Sequence, residues 1–211
     1  MRTERVDDLV PKSSLEKPAI TSVPIAEVLE GRFSPRIYDP AHSLSDSELL
    51  AILEASRWAP SGNNSQPWAF IVGRRGDEDF SKITSALTGF NQSWAPNASA
   101  LIVAVGSLTK PDGSPMDKGS RHLNVGLATS QMVVQAEAMG LKAHYMGGFI
   151  PEVLSTEYHL DAFEPVIVLA IGQMGDLSEA TKEMQEREML ERTRKPLSEI
   201  ILRGLPEAEG K

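Results

Sequence analysis

Two unbroken apolar runs, Ala100–Val105 and Val166–Ile171, constrain the fold of this chain more than any other feature. A strand with one face in water alternates apolar and polar residues, so runs without alternation are typical of strands covered on both faces. Between them, the segment from about Arg121 to Met139 repeats apolar residues at helical spacing, and Gly140 stands where a helix commonly ends. The sequence therefore predicts a single layered α/β or α+β domain whose sheet is covered by helices.

Local patterns predict the shorter elements. Ser45, with Glu48 three residues later, forms a capping-box pattern, and the helix that follows should end before Pro60. Strands are predicted over Trp68–Val72 and Leu141–Tyr145, a weak helix over about 79–88, and another helix led by Pro151. A solvated helix is predicted within Asp176–Glu191, supported by the pairs Glu183–Arg187 and Glu188–Arg192.

Composition excludes several functional classes. The chain has 211 residues, no cysteine, and a formal net charge of −8 from 21 basic and 29 acidic residues. The lack of cysteine excludes disulfides and thiolate metal sites, and the four histidines show no metal-ligand spacing, so no metal site is predicted. Acidic charge without a basic stripe argues against nucleic-acid binding. No apolar run suits a signal peptide or a membrane span, so we expect a cytoplasmic protein.

Known phosphate and nucleotide motifs are absent from the sequence. It contains neither G-x-x-x-x-G-K-[ST] nor G-x-G-x-x-G, and neither H-E-x-x-H nor G-x-S-x-G. A P-loop or a Rossmann dinucleotide site is therefore not expected.

A polar loop lies between the first predicted helix and strand, in the segment Ala59–Trp68. Loops held at both ends by rigid elements often carry binding groups. Side-chain amides both donate and accept hydrogen bonds, which suits a heterocycle edged with C=O and N–H groups. The alternative is a plain connection whose side chains cap backbone groups. The candidate binding residues of this loop are Pro60, Ser61, Gly62, Asn64 and Gln66.

Two arginine pairs form the second candidate feature. Arg32 and Arg36 flank Ser34, and Arg192 and Arg194 lie two residues apart near the other end of the chain. Guanidinium groups bind phosphate through two parallel hydrogen bonds. Four of them beside a serine hydroxyl would bind a phosphate monoester if the two ends meet. Surface arginines that balance local glutamates are the alternative for each pair.

Two glycines, Gly147 and Gly148, follow the strand predicted over Leu141–Tyr145. Glycine at a strand end lets the backbone approach a flat, bulky group closely. A plain tight turn explains the pair nearly as well.

Together these segments resemble the FMN-dependent nitroreductase family, from about Ile25 to Ile201. The A-P-S-…-N-x-Q-P-W signature is the specific part of the match. The segments occur in the family's order: Arg32-Phe-Ser-Pro-Arg36, Ala59-Pro-Ser-Gly-Asn-Asn-Ser-Gln-Pro-Trp68, Asn91 with Trp94 and Ala95, Met146-Gly-Gly-Phe149, and Arg192-Thr-Arg-Lys-Pro-Leu197. The closest branch is the one written R-x-S-P-R near the start and H-x-M-G-G-F late in the chain.

The resemblance implies a fold and a cofactor. The expected fold is α+β, with a central, mainly antiparallel sheet flanked by helices, in an intertwined homodimer that binds FMN at the subunit interface. The expected domain spans residues 24–203, with an N-terminal arm over 1–23 and a tail over 204–211. By this resemblance, the phosphate and ribityl chain would be bound by Arg32, Ser34, Arg36, Arg192 and Arg194. The flavin would be lined by Pro60, Ser61, Gly62, Asn64 and Gln66. Asn91 would reach the flavin's polar edge or the ribityl hydroxyls, and Gly147 and Gly148 would present backbone near N5 and O4.

The resemblance also implies an activity: reduction of nitroaromatic, quinone or similar acceptors by a ping-pong mechanism, with NADH or NADPH as a transient donor. The flavin would carry the chemistry, so no side chain is assigned as a catalytic residue. Gly147 stands where some branches have an acidic residue, so its contact would be through backbone alone. Two alternatives stay open, a flavin-fragmenting or reductive-dehalogenating enzyme of the same fold and a non-catalytic flavin-binding or redox-sensing protein.

Overall fold

A computed structural model describes residues 15–204. Its four strands form one antiparallel sheet in the order β1-β2-β4-β3. The helices are α1 (Glu27–Gly31), α2 (Asp46–Arg57), α3 (Glu78–Ala86), α4 (Asn91–Trp94), α5 (Lys118–Ala138), α6 (Pro151–Glu157), α7 (Lys182–Met189) and α8 (Leu197–Ile200), and the strands are β1 (Trp68–Arg74), β2 (Ala100–Ser107), β3 (Lys142–Met146) and β4 (Phe163–Gly172).

The two apolar runs are the two central strands, as their lack of alternation predicts. Along β2, Leu101 and Val103 pack with α3 and α6 on one face, and Ile102 packs with α2 and α5 on the other. Both faces are covered, so every residue of each run has an apolar neighbour. The predicted α+β architecture, a mainly antiparallel sheet flanked by helices, is confirmed.

The strand register between β2 and β4 shifts once. Ala104 pairs with Ile167, and the next residue, Val105, pairs with Pro165, so the register skips one residue of β4. Proline lacks the N–H that a regular ladder would use, and such irregularities are the usual places for it inside a sheet.

Helix ends follow the local sequence closely. The Ser45 hydroxyl accepts from the Glu48 N–H and the Glu48 carboxylate accepts from the Ser45 N–H, so the predicted capping box is confirmed. Helix α2 ends at Arg57, before Pro60. Helix α5 ends one residue before its C-cap Met139, and the next residue, Gly140, has φ = +74°, a conformation in which glycine is favoured.

The prediction of one solvated helix within Asp176–Glu191 is only partly right. A 3₁₀ turn, Leu177–Glu179, precedes α7, and the expected Glu183–Arg187 ion pair forms at 3.1 Å. The prediction of a pair between Glu188 and Arg192 was wrong. Helix α7 ends before Arg192, and Glu188 is buried and accepts from another segment.

The termini are described in part. Residues 1–14 of the expected arm and 205–211 of the expected tail lie outside the described residues. In residues 15–23 the backbone N–H of Ala19 donates to the Glu30 carbonyl at 2.9 Å, so this part of the arm lies against α1. None of the helices between residues 15 and 204 combines the length and apolar character that crossing a bilayer demands.

Candidate functional site

The segment Arg32–Arg36 lies against the edge strand β3. The carbonyl of Pro35 lies 2.8 Å from Nδ1 of His144, a buried residue of β3. The carbonyl only accepts, so Nδ1 carries the proton and donates. The His144 ring contacts Trp94, with ring centroids 4.6 Å apart. The first arginine pair is therefore fixed beside the strand that leads into Gly147 and Gly148.

Arg192 contacts the N-terminal arginine segment within a single chain. Nη2 of Arg192 donates to the carbonyl of Arg32, 160 positions away in sequence, at 2.7 Å. Nη1 of Arg192 donates to the Glu30 carbonyl at 2.8 Å. Four residues after Arg32, the backbone N–H of Arg36 donates to the buried Glu188 carboxylate at 2.7 Å. The two ends of the chain therefore form one cluster.

The cluster has an excess of positive charge. Among residues 15–204, the ion pairs involve none of the four arginines Arg32, Arg36, Arg192 and Arg194. Burial, followed by the charges of Arg32 and Arg194, lowers the pKa of Arg192. Four guanidinium groups outnumber the two carboxylates that act on them, Glu188 and Glu137, and this excess of positive charge favours a bound anion. Ser34, which accepts from Arg32 at 3.4 Å, adds a hydroxyl.

The same charge acts on the nearby imidazole. The pKa of His144 is lowered to about 4, first by burial and then by the charges of Arg36 and Arg32, against the opposing hydrogen bond to Pro35. The imidazole is therefore neutral at physiological pH.

Two candidate binding residues, Gly148 and Asn91, are in direct contact. The Gly148 carbonyl accepts from the Asn91 side-chain amide at 3.2 Å and from the Thr88 N–H at 2.9 Å. A Cβ on Gly148 would come within 2.9 Å of Asn91 Nδ2, whereas one on Gly147 would meet no atom within 4 Å. Gly148 is therefore closely packed, and Gly147 faces open space.

The loop between α2 and β1 has an unusual backbone. Asn63, Asn64 and Gln66 all have positive φ (+52°, +53° and +44°), which side-chain-bearing residues adopt uncommonly. The Gln66 N–H donates to the Ser61 hydroxyl at 3.0 Å, and the Gln66 amide donates to the Asn64 side chain at 3.1 Å. Such strain persists where the surrounding structure enforces it and is concentrated at functional sites.

A buried asparagine of α5 holds this loop through a hydrogen bond to its backbone. The Gly62 N–H donates to Oδ1 of Asn124 at 3.3 Å, and the Asn124 amide donates to the Ser120 carbonyl at 2.7 Å. Pro60, Gly62, Asn64 and Gln66 are exposed, so the loop presents its polar groups outward.

The loop and the arginine cluster lie at opposite edges of the sheet. The loop leads into β1, and the cluster lies on β3, the two outer strands of the order β1-β2-β4-β3. Three strand spacings of about 4.8 Å separate these edges by roughly 14 Å. One chain thus places the arginine and glycine groups beside β3, while its polar loop lies at the opposite edge of the sheet.

Sequence reasoning missed four residues that hold these groups: Lys17, Asn124, His144 and Glu188. Each acts through a contact with a distant segment. His144 is the histidine of the H-x-M-G-G-F motif, and that motif was its sequence signal. For Glu188 the hint was the charged residue pattern of α7, which was assigned to solvent.

Large apolar side chains are exposed on the helical layer formed by α2 and α5. Trp58, Leu123 and Leu50 are 75%, 65% and 64% exposed. Large exposed apolar patches are typical of protein–protein interfaces.

Comparisons with known proteins agree with this architecture. A family model described as the nitroreductase family matches residues 29–86. A protein of Archaeoglobus fulgidus named "Putative NADH dehydrogenase/NAD(P)H nitroreductase" is 31% identical over 68% of this chain and 80% of its own length. The "Oxygen-insensitive NAD(P)H nitroreductase" of Salmonella typhimurium is 26% identical over 70% of this chain and 88% of its own.

Solved structures share the fold over nearly the whole chain. A crystal structure described as an oxidoreductase containing FMN superimposes with a TM-score of 0.81 and 29% identity, covering 90% of this chain and 96% of its own. A nitroreductase family protein of Clostridium difficile superimposes with a TM-score of 0.65 and 27% identity, covering 85% of this chain and 97% of its own. With the matching family model and the relative from Archaeoglobus, these likenesses show that the chain belongs to the nitroreductase family.

Proposed function

We propose that this protein is an FMN-dependent oxidoreductase that uses NADH or NADPH to reduce quinone, nitroaromatic or similar acceptors. The observation that carries the proposal is the contact of Arg192 with the Arg32–Arg36 segment, beside the strand that leads into Gly147. The similar oxidoreductase structure is described as containing FMN, and the Salmonella relative is named as an NAD(P)H nitroreductase.

The arginine cluster fits the phosphate of FMN. A phosphate monoester carries up to two negative charges, and none of the four arginines forms an ion pair with a carboxylate of residues 15–204. We assign Arg32, Ser34, Arg36 and Arg194 to the phosphate and the adjoining ribityl hydroxyls. Arg192 belongs to the same cluster, with its Nη atoms committed to backbone carbonyls.

The glycine turn and the polar loop fit the ring system. Gly147, which faces open space, lets the main chain approach a flat ring, and Asn91 is held at its side through Gly148. The loop residues Pro60, Ser61, Gly62, Asn64 and Gln66 are assigned to line the ring. Their amides can donate to the electron-rich edge of a heterocycle.

The site needs two chains in this proposal. The polar loop lies at the sheet edge opposite the arginine cluster, so the loop that completes each site comes from a second copy. Exposed apolar residues of α2 and α5, Trp58 and Leu123 among them, supply the surface that the second copy covers. A homodimer with two equivalent sites follows.

Bound FMN supplies the electron-transfer chemistry, and the chain supplies binding and orientation. The sequence has no dinucleotide fingerprint, so we assign donor and acceptor to the same open space, one after the other, as in a ping-pong mechanism. The neutral imidazole of His144 is committed to the Pro35 carbonyl, and no side chain is assigned a proton-transfer role.

The proposal is tested by titrating apoprotein with FMN and following the quenching of flavin fluorescence. Wild-type protein should bind about one FMN per chain, and Arg194→Ala should weaken binding roughly tenfold or more, as expected for a charge-assisted hydrogen bond. Arg203→Ala is the matched control, because Arg203 is exposed and outside the cluster. Wild-type protein that binds no FMN would overturn the proposal.

A further inference from the structure

Two residues at opposite ends of the chain, Lys17 and Arg192, each donate to the backbone of the other's segment. Nζ of Lys17 donates to the Glu188 carbonyl and, at 2.7 Å, to the Leu190 carbonyl. Nη1 of Arg192 donates to the carbonyl of Lys17 and, at 2.8 Å, to that of Glu30. We call this reciprocal pair of contacts the terminal clasp.

The clasp accounts for carbonyls that no secondary structure uses. Glu188 lies in the last turn of α7 and Leu190 is its C-cap, so neither carbonyl has a partner within the helix. Ammonium and guanidinium groups form stronger hydrogen bonds to carbonyls than neutral donors do. The segment that carries Arg192 and Arg194 is therefore held by charged donors of a distant segment.

The Phe33 ring packs against the clasp at Lys17. Its buried ring lies between the arginines Arg32 and Arg36 in sequence, and Nζ of Lys17 lies 5.7 Å from its centroid. Nζ of Lys142 lies 4.7 Å from the same centroid and is paired with Glu137 at 2.6 Å. Both ammonium groups are within the range of cation–π attraction. An aromatic residue at position 33 therefore places the clasp directly beside the arginine cluster.

Arg192 and Arg194 differ in how far their hydrogen-bond donors are already used, and this difference gives them different roles. Two Nη atoms of Arg192 already donate to three carbonyls, those of Lys17, Glu30 and Arg32. Among the described residues, the Arg194 guanidinium donates only to the neighbouring Thr193 carbonyl, and it is exposed. Arg194 is thus free to bind an anion, and Arg192 sets where Arg194 stands.

We propose that Lys17 is a positioning residue for the cofactor phosphate, acting through the terminal clasp to hold Arg194 beside Arg32 and Arg36. This inference takes the identity of the anion from the proposed function. The clasp itself does not depend on the proposed function. Lys17 lies before Ile25, where the sequence motifs of the family resemblance begin.

The test compares Lys17→Gln with Lys17→Arg, with Lys110→Ala as the matched control. Lys17→Gln removes the charge and reaches at most one carbonyl, whereas arginine keeps both the charge and several donors. Lys110 is an exposed lysine in the loop after β2. Two quantities are measured, amide hydrogen exchange of residues 188–195 in the apoprotein and the dissociation constant for FMN.

For Lys17→Gln we expect faster exchange over residues 188–195 by at least tenfold, and an FMN dissociation constant raised about tenfold. Lys17→Arg and Lys110→Ala should match wild type in both. Faster exchange with unchanged FMN affinity would overturn the positioning role, and unchanged exchange would overturn the clasp. If wild-type protein binds no FMN, the proposed function fails, and the exchange experiment still decides the clasp. If Lys17→Gln does not fold by circular dichroism, Arg192→Lys, which keeps the charge but not the fork of donors, should give the same two changes.

Discussion

The carbonyl oxygen of Pro35 accepts a hydrogen bond from Nδ1 of His144 at 2.8 Å, and this contact joins the first arginine segment to the edge strand of the sheet. Three residues beyond His144, the strand gives way to Gly147. The phosphate-binding and ring-binding groups proposed for this protein are therefore fixed relative to each other through one buried imidazole.

Acid should destabilise the protein through this imidazole. The pKa of His144 is about 4 in the folded state and near its ordinary 6.5 when unfolded. Between these values the unfolded chain binds a proton that the folded one does not, so stability falls as pH is lowered from about 6.5 to about 4. The loss approaches about 3 kcal/mol, at 1.36 kcal/mol for each pH unit.

The measurement is the urea unfolding free energy of the apoprotein at several pH values, with His144→Asn as the comparison. Asparagine can donate from a similar position but does not titrate, so its stability should depend less steeply on pH over this range. Equal slopes for the two proteins would show that His144 is not responsible.

The two adjacent glycines should respond differently to alanine. Gly148→Ala brings a Cβ within 2.9 Å of Asn91 Nδ2, which disturbs that hydrogen bond and lowers apoprotein stability by about 1 kcal/mol. Gly147→Ala meets open space, so stability should not change, but FMN binding should weaken severalfold if the ring lies there. Thermal unfolding and fluorescence titration separate the two effects. A stability loss only at Gly147 would contradict the assignment.

Most of the fold was predictable because its signals are local. The unbroken runs in β2 and β4, the capping box at Ser45 and the C′ glycine at Gly140 each specify an element within a few residues. The convergence of Arg32 with Arg192 depends on contacts across 160 positions, and the sequence raised it only as a possibility.

The positions of Glu188 and Lys17 were beyond local reasoning. Glu188 has helical neighbours of both charges, and these indicate a solvated helix as readily as a buried carboxylate. Only the tertiary structure shows that the Arg36 N–H compensates its burial. Lys17 lies among mixed charges and prolines, where no periodicity predicts a contact.

A charge placed on the exposed apolar layer should separate the proposed dimer. Leu123→Glu introduces a carboxylate at a side chain that is 65% exposed in one chain, and its burial against a second copy would be costly. Light scattering should then report a monomer, with weaker FMN binding because each site lacks its second loop. Val153→Glu on α6, on the other helical layer, should leave the mass unchanged. A monomeric wild type would contradict the two-chain site.

The phosphate assignment predicts a difference between two flavins. Riboflavin lacks the phosphate, so Arg36→Ala should weaken FMN binding by roughly ten- to a hundredfold and leave riboflavin binding nearly unchanged. Arg203→Ala should affect neither. Isothermal titration with both flavins gives the comparison, and an equal loss for both would place Arg36 away from the phosphate.

The most direct test of the account is the visible absorbance spectrum of the purified protein, recorded anaerobically before and after NADH or NADPH is added. We expect a flavin spectrum, loss of its visible band with at least one nicotinamide, and its return when a quinone or a nitroaromatic compound is supplied. Protein that stays colourless after incubation with FMN, or a bound flavin that neither nicotinamide bleaches, would contradict it.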